Sequence, residues 1–200
     1  MVKISGRHAA GLLFLAGLLA SPAGAGLKQY DPVDVTNFAL EPENARWLVG
    51  PIAHLASEQE RAQYLQLSES SAAEEFVAAF WERRGPNLVF PPTGPKITFD
   101  RRAEEADKIY TEGTARGRRT DRGTVLILYG APATIEYGSS PTPRGEPIEI
   151  WVYGRKREKG LDGKKPEQRY GFRRHDGLTK FFPLSGVKPL SKTRTRIPRG

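Results

Sequence analysis

The chain has 200 residues, enough for one domain of ordinary size with a core of its own. Lys and Arg number 31 against 23 Asp and Glu, a net charge of +8 at a mean hydropathy of −0.52. There is no cysteine, which excludes disulfides, thiol catalysis, thiolate metal sites and lipidation at a cysteine.

The N-terminus sets the compartment. Lys3 and Arg7 precede an apolar run from Ala9 to Ala20, Ser21-Pro22 breaks it, and Ala23-Gly24-Ala25 fits the small-x-small cleavage rule. This pattern predicts a secretory signal peptide over 1–25, cleaved after Ala25. The run is shorter than the roughly 20 apolar residues that span a bilayer, and no later segment is apolar enough to span one. A periplasmic or secreted protein is expected.

Residues 26–43 have scattered prolines and no period, and read as an extended lead-in. Pro42 to Leu48 suggests a short helix that docks through Trp47. Ser57-Glu58-Gln59-Glu60 is a capping box, opening a helix with Ala62, Tyr64 and Leu65 on one side. A second box, Ser71 to Glu74, opens a helix whose stripe is Phe76, Val77, Phe80 and Trp81. Arg83 and Arg84 suit its C-terminal dipole, and Gly85-Pro86 ends it. Proline and glycine make 85–97 a loop. A third helix fits Phe99 to Thr114, with Ala103, Ala106, Ile109 and Tyr110 inward.

The period then changes from 3.6 to 2. Gly117 to Gly123 reads as a charged turn in which Asp121 caps and Gly123 takes a positive φ. Residues 124–129 read as a buried strand ending at Gly130, 133–137 as a short extension, and 138–147 as a loop. Ile148, Ile150 and Val152 share one face of a strand, with Glu149, Trp151 and Tyr153 on the other, a mixed face. A hairpin over 169–174 and 178–182 turns at Asp176-Gly177, and the basic tail 184–200 is expected to be disordered. The fold class is α+β, a helical N-terminal half packed against an antiparallel β-sheet.

Several short motifs agree in order and spacing with one family. Trp47, Glu58-Gln59-Glu60-Arg61, Phe80-Trp81 with two arginines, Arg102, Ala106-Asp107, Thr120-Asp121-Arg122-Gly123, Tyr129-Gly130-Ala131-Pro132 and Glu149 to Tyr153 together resemble the GWxTD domain over about 44–183. Two positions depart from the family pattern. Arg118 stands where the motif tryptophan belongs, and Gly85 where an acidic residue is usual. The resemblance implies an exported bacterial protein and brings no reaction with it.

No pattern of residues points to an enzyme. The histidines after the leader are His54 and His175, and no spacing suits a metal site, a nucleophile elbow or a phosphate loop, so no metal or cofactor is expected. Thr120 would need an adjacent base, and an aspartate beside arginines is a poor one. The bland reading of Asp121 is a turn residue that accepts backbone amides and pairs with an arginine. The paired carboxylates Glu74-Glu75 and Glu104-Glu105 read as solvated.

The candidate binding residues are Thr120, Asp121, Arg122, Gly123, Tyr129 and Trp151, with core packing as the competing role for Trp151. Arg155, Lys156, Arg157, Lys164, Lys165 and Arg173 form a candidate basic patch. The expected function is a non-enzymatic interaction or assembly module of the cell envelope, with an envelope protein or anionic polymer as partner and no nucleic acid. The alternatives are a hydrolase acting on envelope polymers and a polyanion binder that uses the basic C-terminal half.

Overall fold

A computed structural model of the chain describes residues 27–85, 94–141, 145–155 and 157–189. The leader and the last eleven residues lie outside them, so the expectations for 1–25 and for most of the tail fall outside the described residues. Among these, no helix is long and apolar enough to cross a membrane.

Helices come first and strands second, so the fold is α+β. The helices are α1 Pro42–Ala45, α2 Ile52–Leu55, α3 Glu58–Leu65, α4 Ser70–Glu82, α5 Pro95–Tyr110 and, after a 3-10 turn at Gly117–Arg119, α6 Asp121–Tyr129. The strands are β1 Thr134–Ser139, β2 Pro147–Val152, β3 Arg169–His175, β4 Leu178–Phe181 and β5 Lys188–Pro189. They form one antiparallel sheet in the order β4-β3-β2-β1-β5.

The N-terminal helices follow their local chemistry. The Ser57 hydroxyl accepts from the Glu60 amide while the Glu60 carboxylate accepts from the Ser57 amide, so the capping box is complete. Trp47, Tyr64, Phe76 and Phe80 interlock, with Trp47 edge-on to Phe80 at 4.9 Å. Glu60 also receives Arg84 at 2.7 Å, and that guanidinium lies over the Phe80 ring.

Several local expectations are corrected. The second capping box does not form: α4 begins at Ser70 behind Glu69, with no side-chain cap. Helix α5 starts and ends four residues earlier than the apolar pattern suggested, because Pro95 pre-sets its first turn. Ala62 and Ile109 face solvent, since the buried stripes are set by the aromatic cluster and by Ala103 and Ala106.

The lead-in is not extended either. Residues 27–41 fold as turns on the helices, with Val35 and Leu40 in the core. The buried Asn37 amide donates at 2.8 Å to the Tyr64 and Leu67 carbonyls, supplying partners at the α3 C-terminus.

Both faces of the sheet are covered. Trp151, Tyr153, Tyr170 and Phe172 pack on the helical layer, with Trp151 wholly buried and 5.5 Å from the Tyr110 ring. Ile148 and Ile150 point the other way and are also buried. The cover on that side is the chain between β4 and β5. These strands lie at opposite edges, so residues 182–187 must cross the face, a distance of roughly 19 Å over four strand spacings. Gly171 and Gly138 admit the crossing: a Cβ would fall 2.5 Å from the Phe182 carbonyl oxygen at the first and 2.7 Å from Val187 at the second. The expected disordered tail is thus structured through Pro189, and β1 runs to Ser139 in what was read as loop. The β3–β4 hairpin turns at Asp176 and Gly177, both at positive φ.

Candidate functional site

The stretch 124–129, expected as a strand, is the body of helix α6. Residues 124–128 are all buried, so no amphipathic period marks them, and a buried helix and a buried strand then look alike. The boundary chemistry carries the helical signal. The Thr120 hydroxyl accepts from the Gly123 amide at 3.1 Å, Asp121 sits in the first turn, and Gly130 closes the helix at φ +78°.

The two motif glycines serve close approach. A Cβ on Gly117 would lie 1.8 Å from the Ala106 carbonyl oxygen of α5, and one on Gly123 would lie 1.8 Å from the Gly117 carbonyl oxygen. Gly123 is helical, which corrects the positive φ expected for it. The Thr120 hydroxyl donates back to Gly117 O at 2.8 Å. The motif therefore stacks three backbones, α5 on the 3-10 turn on α6, without side chains between them.

Asp121 does not cap the turn and does not pair with an arginine; Thr120 does the capping. One Asp121 carboxylate oxygen accepts from the Phe181 amide of β4 at 2.7 Å. Burial, outweighing that hydrogen bond and the nearby Lys180, raises its pKa above the ordinary value, the reverse of what flanking arginines alone suggest. Arg122 turns to Glu149 on β2, with Nη1 3.0 Å from Oε2, and to Glu112, while lying 4.8 Å from the Tyr110 ring centroid. Its Nε is buried without a hydrogen-bond partner.

Glu112 accepts from the amide of Thr179 at 2.5 Å and from its hydroxyl at 2.6 Å. Burial opposes its charge, but the Thr179 bonds and Arg122 together hold its pKa below the ordinary value. Thr179 and Phe181 are the outward amides of the edge strand β4, and two carboxylates take the place of a further strand. This is a local form of edge protection.

Trp151 donates its indole N–H to Glu149 at 2.6 Å and belongs to the core, which settles the mixed face as an inner one. Glu149 is the polar exception on that face, matched by Arg122. Tyr129 donates to Asp162 at 2.9 Å and stacks on Tyr170 at 6.0 Å; burial, more than these neighbours, raises its pKa. The loop glycine Gly160 admits Tyr129, since a Cβ there would fall 2.4 Å from its ring.

The structure thus brings Thr120, Asp121, Arg122 and Gly123 together around β4 and links Arg122 to Trp151 through Glu149. Tyr129 lies at the other end of α6, against the 154–168 loop. The basic residues do not converge on one contact. Arg155, Lys164 and Lys165 are exposed, Arg157 donates to the Pro166 carbonyl at 2.9 Å, and Lys156 lies outside the described residues. Arg173 pairs with Glu146 at 3.0 Å and lies over the Phe182 ring. His54 is held at a pKa of about 4 by burial, edge-on to Tyr30, and His175 is exposed beside Asp176. No cluster that could hold a metal ion occurs among the described residues.

The outer side of the same turn is different. Arg118, at the motif tryptophan position, ties its guanidinium and its backbone amide to Asp107, each at 2.8 Å. Burial together with Arg46, Arg116 and Arg118 lowers the pKa of Arg119. Arg46 and Arg119 flank a groove of about 340 Å³ lined by Pro32, Val33, Phe38 and Val49. Residue spacing did not single out this surface, because its pieces come from three separated segments. The signals available were the 116–119 arginines and an unpatterned Phe38. A second groove, of about 490 Å³, runs along Trp47, Val77 and Trp81.

No curated protein and no solved structure shows a significant match to the chain. The family model of the GWxTD domain matches residues 36–178, which takes in the end of the lead-in, the helical layer and the sheet through the start of β4. The chain belongs to the GWxTD domain family.

Proposed function

We propose that the chain is an exported module of the cell envelope that works by binding or assembly and not by turning over a substrate. The observation that carries this reading is the state of the motif's polar side chains. Thr120 caps α6, Asp121 holds a β4 amide, and Arg122 is shared between two carboxylates. None is left poised for a reacting group. The predicted leader over 1–25 supports the envelope location.

A hydrolase would use Asp121 as its carboxylate. The charges that act on Asp121 are Lys180 and Glu112, and neither His54 nor His175 is among them. A polyanion binder would use the basic half, yet Arg157 and Arg173 are engaged within the fold.

The test is expression of the full chain in a bacterial host, followed by fractionation, N-terminal mass analysis and cross-linking in situ. A processed chain in the envelope fraction, cross-linked to a defined protein and inert toward purified peptidoglycan, is the expected result. An unprocessed cytosolic chain would overturn the export reading. Peptidoglycan cleavage abolished by Asp121→Asn at unchanged Tm would overturn the binding reading.

A further inference from the structure

We infer that the groove between residues 32–38 and the motif turn docks an acidic protein segment that inserts a bulky apolar side chain and places carboxylates on Arg46 and Arg119. This rests on the binding reading above and names the partner's chemistry.

Exposure at the groove is built in. Phe38 is 76% exposed and Val33 65%, on the rim of one depression. The turn that presents them is pinned. Asp31 accepts the Val33 amide at 2.9 Å, Thr36 donates to the Pro32 carbonyl, and the buried Asn37 side chain binds Tyr64 O, Leu67 O and the Ala39 amide. Phe38 therefore sits outward between two fixed neighbours, and its exposure is not the fraying of a free end. At about 340 Å³ the groove lies at the low end of ligand clefts, roughly 300–1,000 Å³, a size suited to side chains.

The charged side chains in its lining, Arg46 and Arg119, are both cations. Arg46, Arg116 and Arg119 make no ion pair among the described residues, unlike Arg84, Arg122, Arg169 and Arg173. Arg46 and Arg116 both repel the charge of Arg119, and the carboxylate acting on it, Asp107, is already bound by Arg118. An acidic partner would relieve that repulsion, and guanidinium groups match carboxylates in a two-bond geometry. The groove is concave with cations at its rim, a shape that takes an inserted side chain.

The motif supports the same surface from behind. Gly117 seats the turn against α5, and Gly50 at φ +93° lies 3.2 Å from the Arg118 carbonyl by its would-be Cβ, so the backbone carrying Arg118 and Arg119 is held from two sides. One turn thus braces the core inward and sets arginines outward.

The test is fluorescence anisotropy on the full chain with a dye-labelled peptide that has a Leu-Phe centre between glutamate triplets. Control peptides carry Gln for Glu or Ala for the Leu-Phe pair, and vesicles of phosphatidylcholine and phosphatidylglycerol probe lipid. Saturable binding of the acidic peptide is expected, weakened roughly tenfold or more by Arg46→Gln with Arg119→Gln and by Phe38→Ser at unchanged Tm. Both control peptides should bind less well. Equal affinity for the Gln peptide, indifference to the arginine pair, or vesicle binding stronger than peptide binding would overturn the inference. Should Phe38→Ser lower Tm, the arginine pair and the Ala peptide still decide it. In the envelope cross-linking above, a partner retained by the groove variants sinks the groove and leaves the module standing, whereas peptidoglycan turnover sinks the module itself.

Discussion

Replacing Gly117 by Ala tests whether the motif glycine exists for close packing. The added methyl would lie 1.8 Å from the Ala106 carbonyl oxygen, 2.5 Å from its carbon and 2.9 Å from the Asp107 Cα. All three are backbone atoms of α5, so no side chain can swing aside. The turn must move away from the helix, which also pulls on the Arg118–Asp107 pair and on the Thr120 cap. Over-packing costs about 1–3 kcal/mol where neighbours can yield, and here about 3 kcal/mol or more is expected. In a chain of this size that lowers Tm by about 6–12 °C. Urea unfolding followed by circular dichroism should show a lower midpoint at unchanged slope. Gly154→Ala is the control, because a Cβ there meets nothing within 4 Å, and its effect should stay within about 0.5 kcal/mol. If Gly117→Ala costs no more than Gly154→Ala, the stacked-backbone account of the motif is wrong.

Three further predictions follow from the polar contacts. The Arg84 hydrogen bond, against the opposing effect of burial and aided by the Ser57 amide, holds the Glu60 carboxyl at about 2 instead of 4.5. That corresponds to about 3 kcal/mol of stability, fully present above pH 4.5 and lost as pH falls through 2. Glu60→Gln should therefore be less stable at pH 7 and converge with the parent near pH 2; a gap independent of pH in urea titrations would refute the assignment. Asp121 has the opposite sign: its raised native pKa favours folding below the unfolded value and withdraws that support as pH rises through the native value. Asp121→Asn keeps an acceptor for the Phe181 amide and removes a buried charge, so at pH 7 it should match or exceed the parent, while Asp121→Ala should lose about 1–2 kcal/mol. An Asn variant less stable than the Ala variant would contradict this. Glu112→Ala leaves the Thr179 amide bare and Arg122 half-paired, at a cost of about 3 kcal/mol, and hydrogen exchange at Thr179 should quicken more than at Phe181.

Legibility along the chain tracked how local each cause was. The Ser57 capping box, the Phe76 to Trp81 stripe and the Asp176-Gly177 hairpin rest on contacts a few residues apart, and all three formed as read. Helix α6 was misread because burial on every side removed its period, although Thr120 and Gly130 marked its ends. Asp121 reads locally as a turn cap paired with an arginine, whereas the amide it accepts belongs to Phe181, sixty residues on. Trp151 was legible as a core candidate but not as the indole partner of Glu149.

The amino-acid sequence by itself determined the order of helices before strands, the Ser57 cap, the hairpin turn and the motif series of the GWxTD family. These depend on capping, periodicity and turn chemistry, which act within a few residues. Only the tertiary structure decided that the motif's inner side chains guard a sheet edge, that residues 182–187 strap the far face, and that Phe38, Arg46 and Arg119 share one groove. Such arrangements join segments far apart in the chain, and their energies exist only once α5, α6 and the sheet have been packed together.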